Sequence, residues 1–401
     1  MKRGWGIKKL GDICHTSNGL WKGKKPPFIT IGVLRSTNFT KDCRLKLDDV
    51  AYIEVEENSF AKRKLQKNDI VVERSGGGPN QPVGRVLLFD IDDDNFSFCN
   101  FTSALRVIDS SYISPIYLHK YLSYFYLSGK TIEMQSNTIG LRNLDYTKYL
   151  DIEIPIPPLA EQERIVEILD REFERIDALK ANAEQNLQHA KDLFQSALKQ
   201  ELQPKEGWDI STLGDVCDIQ GGSTPKRTEK AFWDNGTYPW FTVEDIREQG
   251  RIITNTKQKI TKLAWDKLRV FPKNTVLLCC TASLGEYALT KIPLTSNQQF
   301  NGLSIKDENL LNPMYLLHYC STLKDKLFTL SGKTTIDFVA TGKVKQIEIS
   351  FPSLVEQGEV VARLDKLKEH CTALEENYKK TIVLCDDMKQ ALLRKAFNGE
   401  L

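Results

Sequence analysis

Residues 354–401 read LVEQGEVVARLDKLKEHCTALEENYKKTIVLCDDMKQALLRKAFNGEL. Apolar or small side chains fall at Val360, Leu364, Leu367, Cys371, Leu374, Tyr378, Thr381, Cys385, Met388 and Leu392, in alternating steps of four and three. That is a heptad seam, the pattern of a helix that buries one stripe against another helix. Ser353 and Glu356 supply a capping box at its start. Residues 159–203 carry Ile165, Leu169, Ile176, Leu179, Ala183, Ala190, Leu193 and Ala197 in the same frame, broken by Glu172 and Asn186, and they follow Pro157-Pro158. Each stretch amounts to roughly 60 Å of helix. Neither hides its stripe alone, so the two are expected to pack together, with Leu169, Ile176 and Leu179 facing Leu364, Leu367 and Leu374. The connection Gln203-Pro204-Lys205-Glu206 is too short for a parallel return. An antiparallel pair follows, and it would bring Leu401 back beside Met1.

The rest of the chain is written twice. Gly4-Trp5 and Leu10-Gly11-Asp12-Ile13-Cys14 recur 203 residues later as Gly207-Trp208 and Leu213-Gly214-Asp215-Val216-Cys217. Ser128-Gly129-Lys130-Thr131 recurs as Ser331-Gly332-Lys333-Thr334. Ile152-Glu153-Ile154, Pro157, Leu159 and Glu161-Gln162 recur as Ile347-Glu348-Ile349, Pro352, Leu354 and Glu356-Gln357. The offset there is 195, so the first copy carries about eight extra residues between Lys130 and Ile152. Short apolar runs such as Ile70-Val71-Val72, Arg85-Val86-Leu87-Leu88 and Thr275-Val276-Leu277-Leu278 predict strands. Pro115 to Tyr126 and Pro313 to Leu330 predict helices. The expected fold is α+β. Mixed α/β domains at 1–158 and 204–353 are joined by spacer helices at 159–203 and 354–401, with pseudo-two-fold symmetry.

The 401 residues carry Lys+Arg 55 against Asp+Glu 53, so no global field names a partner. By segment the net charge is +4 over 1–159, −4 over 160–203, +3 over 204–353 and −1 over 354–401. Positive charge therefore sits in the mixed domains. Residues 1–46 hold 11 Lys/Arg, including Lys22, Lys24, Lys25 and Arg35, against only Asp12 and Asp42. Beside Trp21, Phe28 and Phe39 these cations suit a phosphate-contacting surface, or a solvated basic face. Nine cysteines without CxxC spacing suit reduced thiols in a cytoplasm, and no apolar run predicts a membrane span or secretory signal.

Catalytic signatures are missing from the sequence. Gly332-Lys333-Thr334 ends like a phosphate loop, but the required earlier glycine is Leu327, and Tyr124 in the other copy. These read as repeated loops that leave Lys130 and Lys333 available to phosphates. Ile156-Pro157-Pro158-Leu159 lacks the residues an amino-methyltransferase uses to grip its target. The histidines at 15, 119, 189, 318 and 370 show no paired ligand spacing and read as structural, and Asp92-Asp93-Asp94 reads as a turn. Two loops carry the chemistry of base edges. Arg74, Asn80, Gln81 and Arg85 surround Gly76-Gly77-Gly78, and Lys226, Arg227 and Gln298 accompany Gly221-Gly222-Ser223-Thr224-Pro225. Arginine forks to guanine, and asparagine or glutamine to adenine. Trp233 and Trp240 read as loop anchors.

The ordered set of motifs resembles the specificity subunits of type I restriction-modification systems. It comprises the repeated Leu-Gly-Asp, Gly221-Gly222-Ser223-Thr224-Pro225, Phe232-Trp233 with Pro239-Trp240 and Glu244-Asp245-Ile246, Asn297-Gln298, Pro157-Pro158-Leu159-Ala160-Glu161-Gln162 with its copy at Pro352, and the closing Leu393 to Leu401. The first half lacks the Gly-Gly-x-Thr-Pro run, which marks a recognition domain of another subtype. The resemblance implies a non-catalytic subunit whose two recognition domains read a bipartite sequence in double-stranded DNA, with the helices setting the gap. Two methyltransferase subunits and restriction/translocase subunits would be its partners. S-adenosylmethionine and ATP with magnesium would be bound by those partners, this chain holding no cofactor or metal. Two other readings stand beside it, a type IIB or IIG-like recognition subunit and a coiled-coil scaffold for proteins.

Overall fold

The structure, a computed structural model, describes residues 4–78, 81–138, 141–331 and 337–401. Both heptad stretches are single helices, Leu159–Glu201 and Leu354–Asn398. Their starts are set by local chemistry. Pro157 and Pro158 have no N–H with which to extend the first helix backwards, and the Ser353 hydroxyl accepts the Glu356 N–H at 3.4 Å. The chain divides into two compact units, Met1–Glu184 with Lys379–Leu401, and Gln185–Tyr378. Each unit thus holds one end of each long helix beside a mixed α/β body. Among the described residues no helix is long and apolar enough to cross a membrane.

In the first unit, strands Cys14–Asn18, Thr102–Val107, Asp69–Glu73 and Val86–Phe89 form an antiparallel sheet in that order. Beside it, Ala51–Glu56, Phe28–Leu34 and Phe96–Phe98 make a three-stranded sheet. Helix Pro115–Leu127 packs Tyr117, Leu118 and Leu122 onto a core shared with Ile70, Val72 and Leu105. The second unit repeats this frame. Cys217–Gly221, Phe300–Ile305, Val276–Cys279 and Tyr287–Thr290 occur in the same order, extended by Ile252–Ile253. Its counterpart helix is shorter than expected, ending at Ser321 before a separate turn of helix, Lys324–Leu330. The Thr322 hydroxyl donates to the Tyr319 carbonyl at 2.8 Å, a local bond that competes with continuing the helix.

One pairing recurs in both units. Strand Gly6–Lys9 runs antiparallel to Glu153–Ile156, and Asp209–Thr212 to Glu348–Phe351. Each pair ends at a fully buried glutamine on the first turn of a long helix. The Gln162 side-chain oxygen accepts the Ser114 N–H at 2.8 Å, while its amide donates to the carbonyls of Tyr112 (3.1 Å) and Pro157 (2.9 Å). Gln357 does the same with the Asn312 N–H (2.8 Å) and the carbonyls of Leu310 and Pro352 (both 2.9 Å). Ser114 and Asn312 are themselves the N-caps of the two short helices.

Within each unit the helix ends are antiparallel. In the first, Lys180 bonds Asp386 at 2.7 Å, Asp177 pairs with Lys389, and Leu393, Ala396 and Phe397 share a core with Ile165 and Leu169. In the second, Arg363 bonds Glu201 at 2.8 Å and Lys368 covers Phe194 at 4.7 Å. Arg164 donates to the Leu401 carbonyl at 2.8 Å, and Leu401 packs on the same core as Trp5. The seam itself needs a correction. Leu169, Ile176, Leu364 and half-buried Leu367 do face inward, but Leu179 and Leu374 are 47% and 40% exposed. At about 100° per residue, a position four on from a seam residue lies nearer its face than one three on. Phe173, Lys180 and Phe194 therefore take the inner places in the first helix, and Leu179 and Leu193 turn outward.

Gln162→Leu removes three hydrogen bonds and strands their backbone partners, each at a cost of about 1–3 kcal/mol. Urea unfolding is expected to show a loss of at least about 2 kcal/mol, whereas Leu179→Ala stays within about 0.5 kcal/mol.

Candidate nucleic-acid interface

The same backbone event opens the candidate loop in each unit. Gly19 follows strand Cys14–Asn18, where a Cβ would lie 1.8 Å from the Cys99 carbonyl oxygen. Gly222, 203 residues on, follows Cys217–Gly221, where a Cβ would lie 2.2 Å from Ser296 Oγ. Only glycine lets the two segments touch at either place. Beyond these contacts the loops diverge.

In the first unit, Lys22, Lys24 and Lys25 are exposed beside Trp21, itself 69% exposed. Glu56 organises the loop through the backbone. Its carboxylate accepts the Lys24 and Lys25 N–H groups, both at 3.3 Å, and its own N–H donates to the Lys22 carbonyl at 2.9 Å. The three ammonium groups are left facing water. Lys130 is also exposed, its Nζ over the Tyr124 and Phe125 rings at 5.3 and 5.5 Å.

Several expected readers are occupied elsewhere. Arg35 spends its guanidinium on the Asp49 carboxylate (3.1 Å) and carbonyl (3.2 Å). Arg74 stacks 4.2 Å over the Tyr146 ring and bonds Asn18 at 2.8 Å and Ser103 at 3.2 Å. Half-buried Gln81 exchanges reciprocal backbone bonds with Gly78. Asn80 and Lys333 lie outside the described residues. Arg85 is a clear correction. It is 4% exposed and forks onto both oxygens of the fully buried Glu73 at 2.7 and 2.8 Å, with further bonds to the carbonyls of Phe39 and Ser36. A guanidinium so satisfied clamps the two ends of the glycine loop and cannot reach a base edge. Phe39 likewise lies buried beneath it.

In the second unit the loop is strapped by indoles. Trp233 and Trp240 meet edge to face at 5.1 Å, and Arg227 lies over both rings at 4.0 and 4.5 Å. The indole N–H groups donate to the carbonyls of Lys226 (3.2 Å) and Ser223 (3.3 Å), so both tryptophans anchor the loop as expected. Arg227 Nη1 also donates to Gln258 at 2.9 Å, yet the side chain stays exposed, as do Lys226 and Gln298. Gln298 accepts the Thr224 hydroxyl, tying the two loop segments together. Exposed Arg269 joins this cluster by donating to the Gly221 carbonyl at 3.0 Å. It is 48 residues from its partner, and nothing local in the sequence marks it.

Groups that could suggest catalysis are insulated. Burial pushes the thiols of Cys14, Cys43, Cys217 and Cys280 up to about 12, so none is a thiolate nucleophile at neutral pH. Burial lowers His119 to about 4, and its Nε2 meets the Cys43 carbonyl at 2.9 Å. His318 is also lowered by burial, against the opposing pull of Asp365 at 2.8 Å. Asp365 and Asp170 are duplicate positions, and Asp170 pairs with Lys120, so the contact joins helix to body in both units. Among the described residues no group of three or more His, Cys, Asp or Glu is placed to hold a metal ion.

Residues 2–189 and again 205–383 match the family of the Type I restriction modification DNA specificity domain. The chain is 36% identical over 166 residues to the Type I restriction enzyme EcoprrI specificity subunit of Escherichia coli, covering 38% of this chain and 41% of that one. It is 32% identical over 197 residues to the Type I restriction enzyme MjaIX specificity subunit of Methanocaldococcus jannaschii, covering 48% and 44%. These alignments span less than half the length of either relative. A solved structure described as "Structural basis underlying complex assembly and conformational transition of the type I R-M system" shares the fold over 100% of this chain and 99% of its own, at TM-score 0.81 and 20% identity.

Arg85→Ala leaves the buried Glu73 carboxylate without its countercharge, a loss of about 3–5 kcal/mol. Thermal unfolding is expected to shift markedly downward, while Lys24→Ala melts like the wild type. An unshifted Arg85→Ala melt with lost DNA binding would return Arg85 to the reading surface.

Proposed function

Because the chain belongs to the type I restriction-modification DNA specificity family, we propose that it is the sequence-specificity subunit of such an enzyme and performs no catalysis itself. Each α/β domain, 1–158 and 204–353, reads one part of a bipartite target in double-stranded DNA, with the long helices as the spacer. The observation that carries this reading is the duplicated glycine contact from which two chemically different basic loops emerge. A common frame with unlike loops suits two unlike half-sites. Lys22, Lys24, Lys25 and Lys130 in the first domain, and Lys226 in the second, supply phosphate contacts. Arg227, stacked on its indoles, and Gln298 have the chemistry of base edges. Arg74 holds its loop in place. Arg85 is withdrawn from this set.

Partners are supported by a second repeated feature. Leu179 and Met388 in the first unit, and Leu193 and Leu374 in the second, are all 40–51% exposed. Leu179 and Leu374 are duplicate positions, as are Leu193 and Met388. An apolar pair repeated on the helices of both units suits two copies of one partner, and methyltransferase subunits carrying S-adenosylmethionine fill that role. Restriction subunits that use ATP and magnesium join the same assembly.

Co-expression with a methyltransferase subunit of the same system, followed by sequencing of modified bases, is expected to reveal an asymmetric bipartite methylated motif. The motif should vanish when this gene is deleted, and its persistence would refute the assignment. Leu193→Asp with Leu374→Asp is expected to reduce bound methyltransferase from two copies to one by native mass spectrometry. Retention of two copies would remove the helix pair as the docking site.

A further inference from the structure

Resting on the DNA-reading function proposed above, we infer that the turn at residues 99–102 reads an adenine–thymine pair for the first domain, Asn100 through the adenine edge and Phe101 through the thymine methyl. In that domain the arginines expected to reach bases are bound within the protein, Arg35 by Asp49, Arg74 by Asn18 and Arg85 by Glu73. The common frame carries an exposed turn at the equivalent place in both units, and in the second unit that turn holds Gln298.

The equivalence rests on backbone contacts. Asn18 pairs with Ser103 as Gly221 pairs with Asn301, at matching positions of the two sheets. The Arg74 N–H donates to the Phe101 carbonyl at 2.8 Å, and the Cys280 N–H to the Gln299 carbonyl at 2.8 Å. The Gly19 backbone meets the Cys99 carbonyl, and a Cβ on Gly222 would lie 2.3 Å from the Asn297 carbonyl oxygen. The Thr102 N–H closes the first turn onto the Cys99 carbonyl at 3.0 Å, and the Phe300 N–H closes the second onto Asn297 at 3.4 Å. Asn100 and Phe101 therefore occupy the places of Gln298 and Gln299.

Each turn is joined to the basic loop of its own unit. Gln298 accepts the Thr224 hydroxyl. Leu20 bridges Cys99 and donates its N–H to the Phe98 carbonyl at 2.8 Å, so exposed Trp21 and the three lysines leave the frame beside the first turn. Asn100 is exposed, and among the described residues no hydrogen bond occupies its amide. Phe101 is 50% exposed although its carbonyl is fixed by the N–H groups of Arg74 and Ser75, so the ring stays outside the core. Asparagine forks to adenine N6 and N7, and phenylalanine packs on the thymine methyl, the two major-groove marks of an A·T pair.

The test is selection from a duplex DNA library with a randomised core, using the full-length chain and variants whose melting matches the wild type. The wild type is expected to select a two-part motif. Asn100→Ala is expected to select the same motif with one A·T pair of one half degenerate, a loss of discrimination of roughly 5- to 150-fold at that pair. Asn100→Asp, which keeps the shape but loses the amide donor, should lose the same preference. Uracil in place of the thymine at that pair should weaken the wild type about 4-fold and leave Phe101→Ala unchanged. An equal loss in both removes Phe101 from the contact. Degeneracy at a G·C pair overturns the adenine assignment. An unchanged motif in both Asn100 variants refutes the turn, and degeneracy of the opposite half in Gln298→Ala then spares the DNA-reading function. A wild type that selects no motif overturns that function itself.

Discussion

A single buried amide at the first turn of each long helix fixes the angle at which that helix leaves its α/β body. Gln162 and Gln357 each satisfy one backbone N–H and two backbone carbonyls. The N–H belongs to the cap of a short helix, and one carbonyl to the proline that ends the edge strand. Strand end, short-helix start and long-helix start are thereby locked to one side chain. An apolar residue would pack there, but it would not define direction, because dispersion is indifferent to small rotations. Identical bonding in two copies that have otherwise diverged suggests that the angle, more than the bulk, is what the site specifies.

The duplication and both long helices were legible in the sequence because they rest on periodicity and repetition, which survive substitution. The finer register was not. A sequence stripe at alternating steps of three and four leaves open which residue of each second layer turns inward, since both lie within a fraction of a turn of the seam. Phe173 and Phe194 won those places in the first helix, and Leu179 and Leu193 lost them. The discarded leucines remained apolar, and their exposure is matched at the duplicate positions Leu374 and Met388.

At the loops, residue type alone misled. Arg85 and Glu73 flank the glycine loop, Glu73 ending one strand and Arg85 immediately preceding its antiparallel neighbour, and that placement was the available sign that they neutralise each other. Arg227 stays exposed because aromatic faces hold the cation, and of its donors one is spent on Gln258. Arg269 is brought in from elsewhere in the chain by the fold, and no local pattern announces it. The two domains thus share a frame fixed by glycine contacts and buried glutamines, while the chemistry facing outward was free to change.

The first unit is assembled from both ends of the chain, whereas the second is one uninterrupted run. Phe397, four residues from the last, fills a nest of Tyr117, Tyr121 and Tyr124. During synthesis the second unit can close as it emerges, but the nest stays open until Phe397 has been made. The half translated first is therefore the half completed last. Its uncovered tyrosines must wait through the making of some 270 further residues.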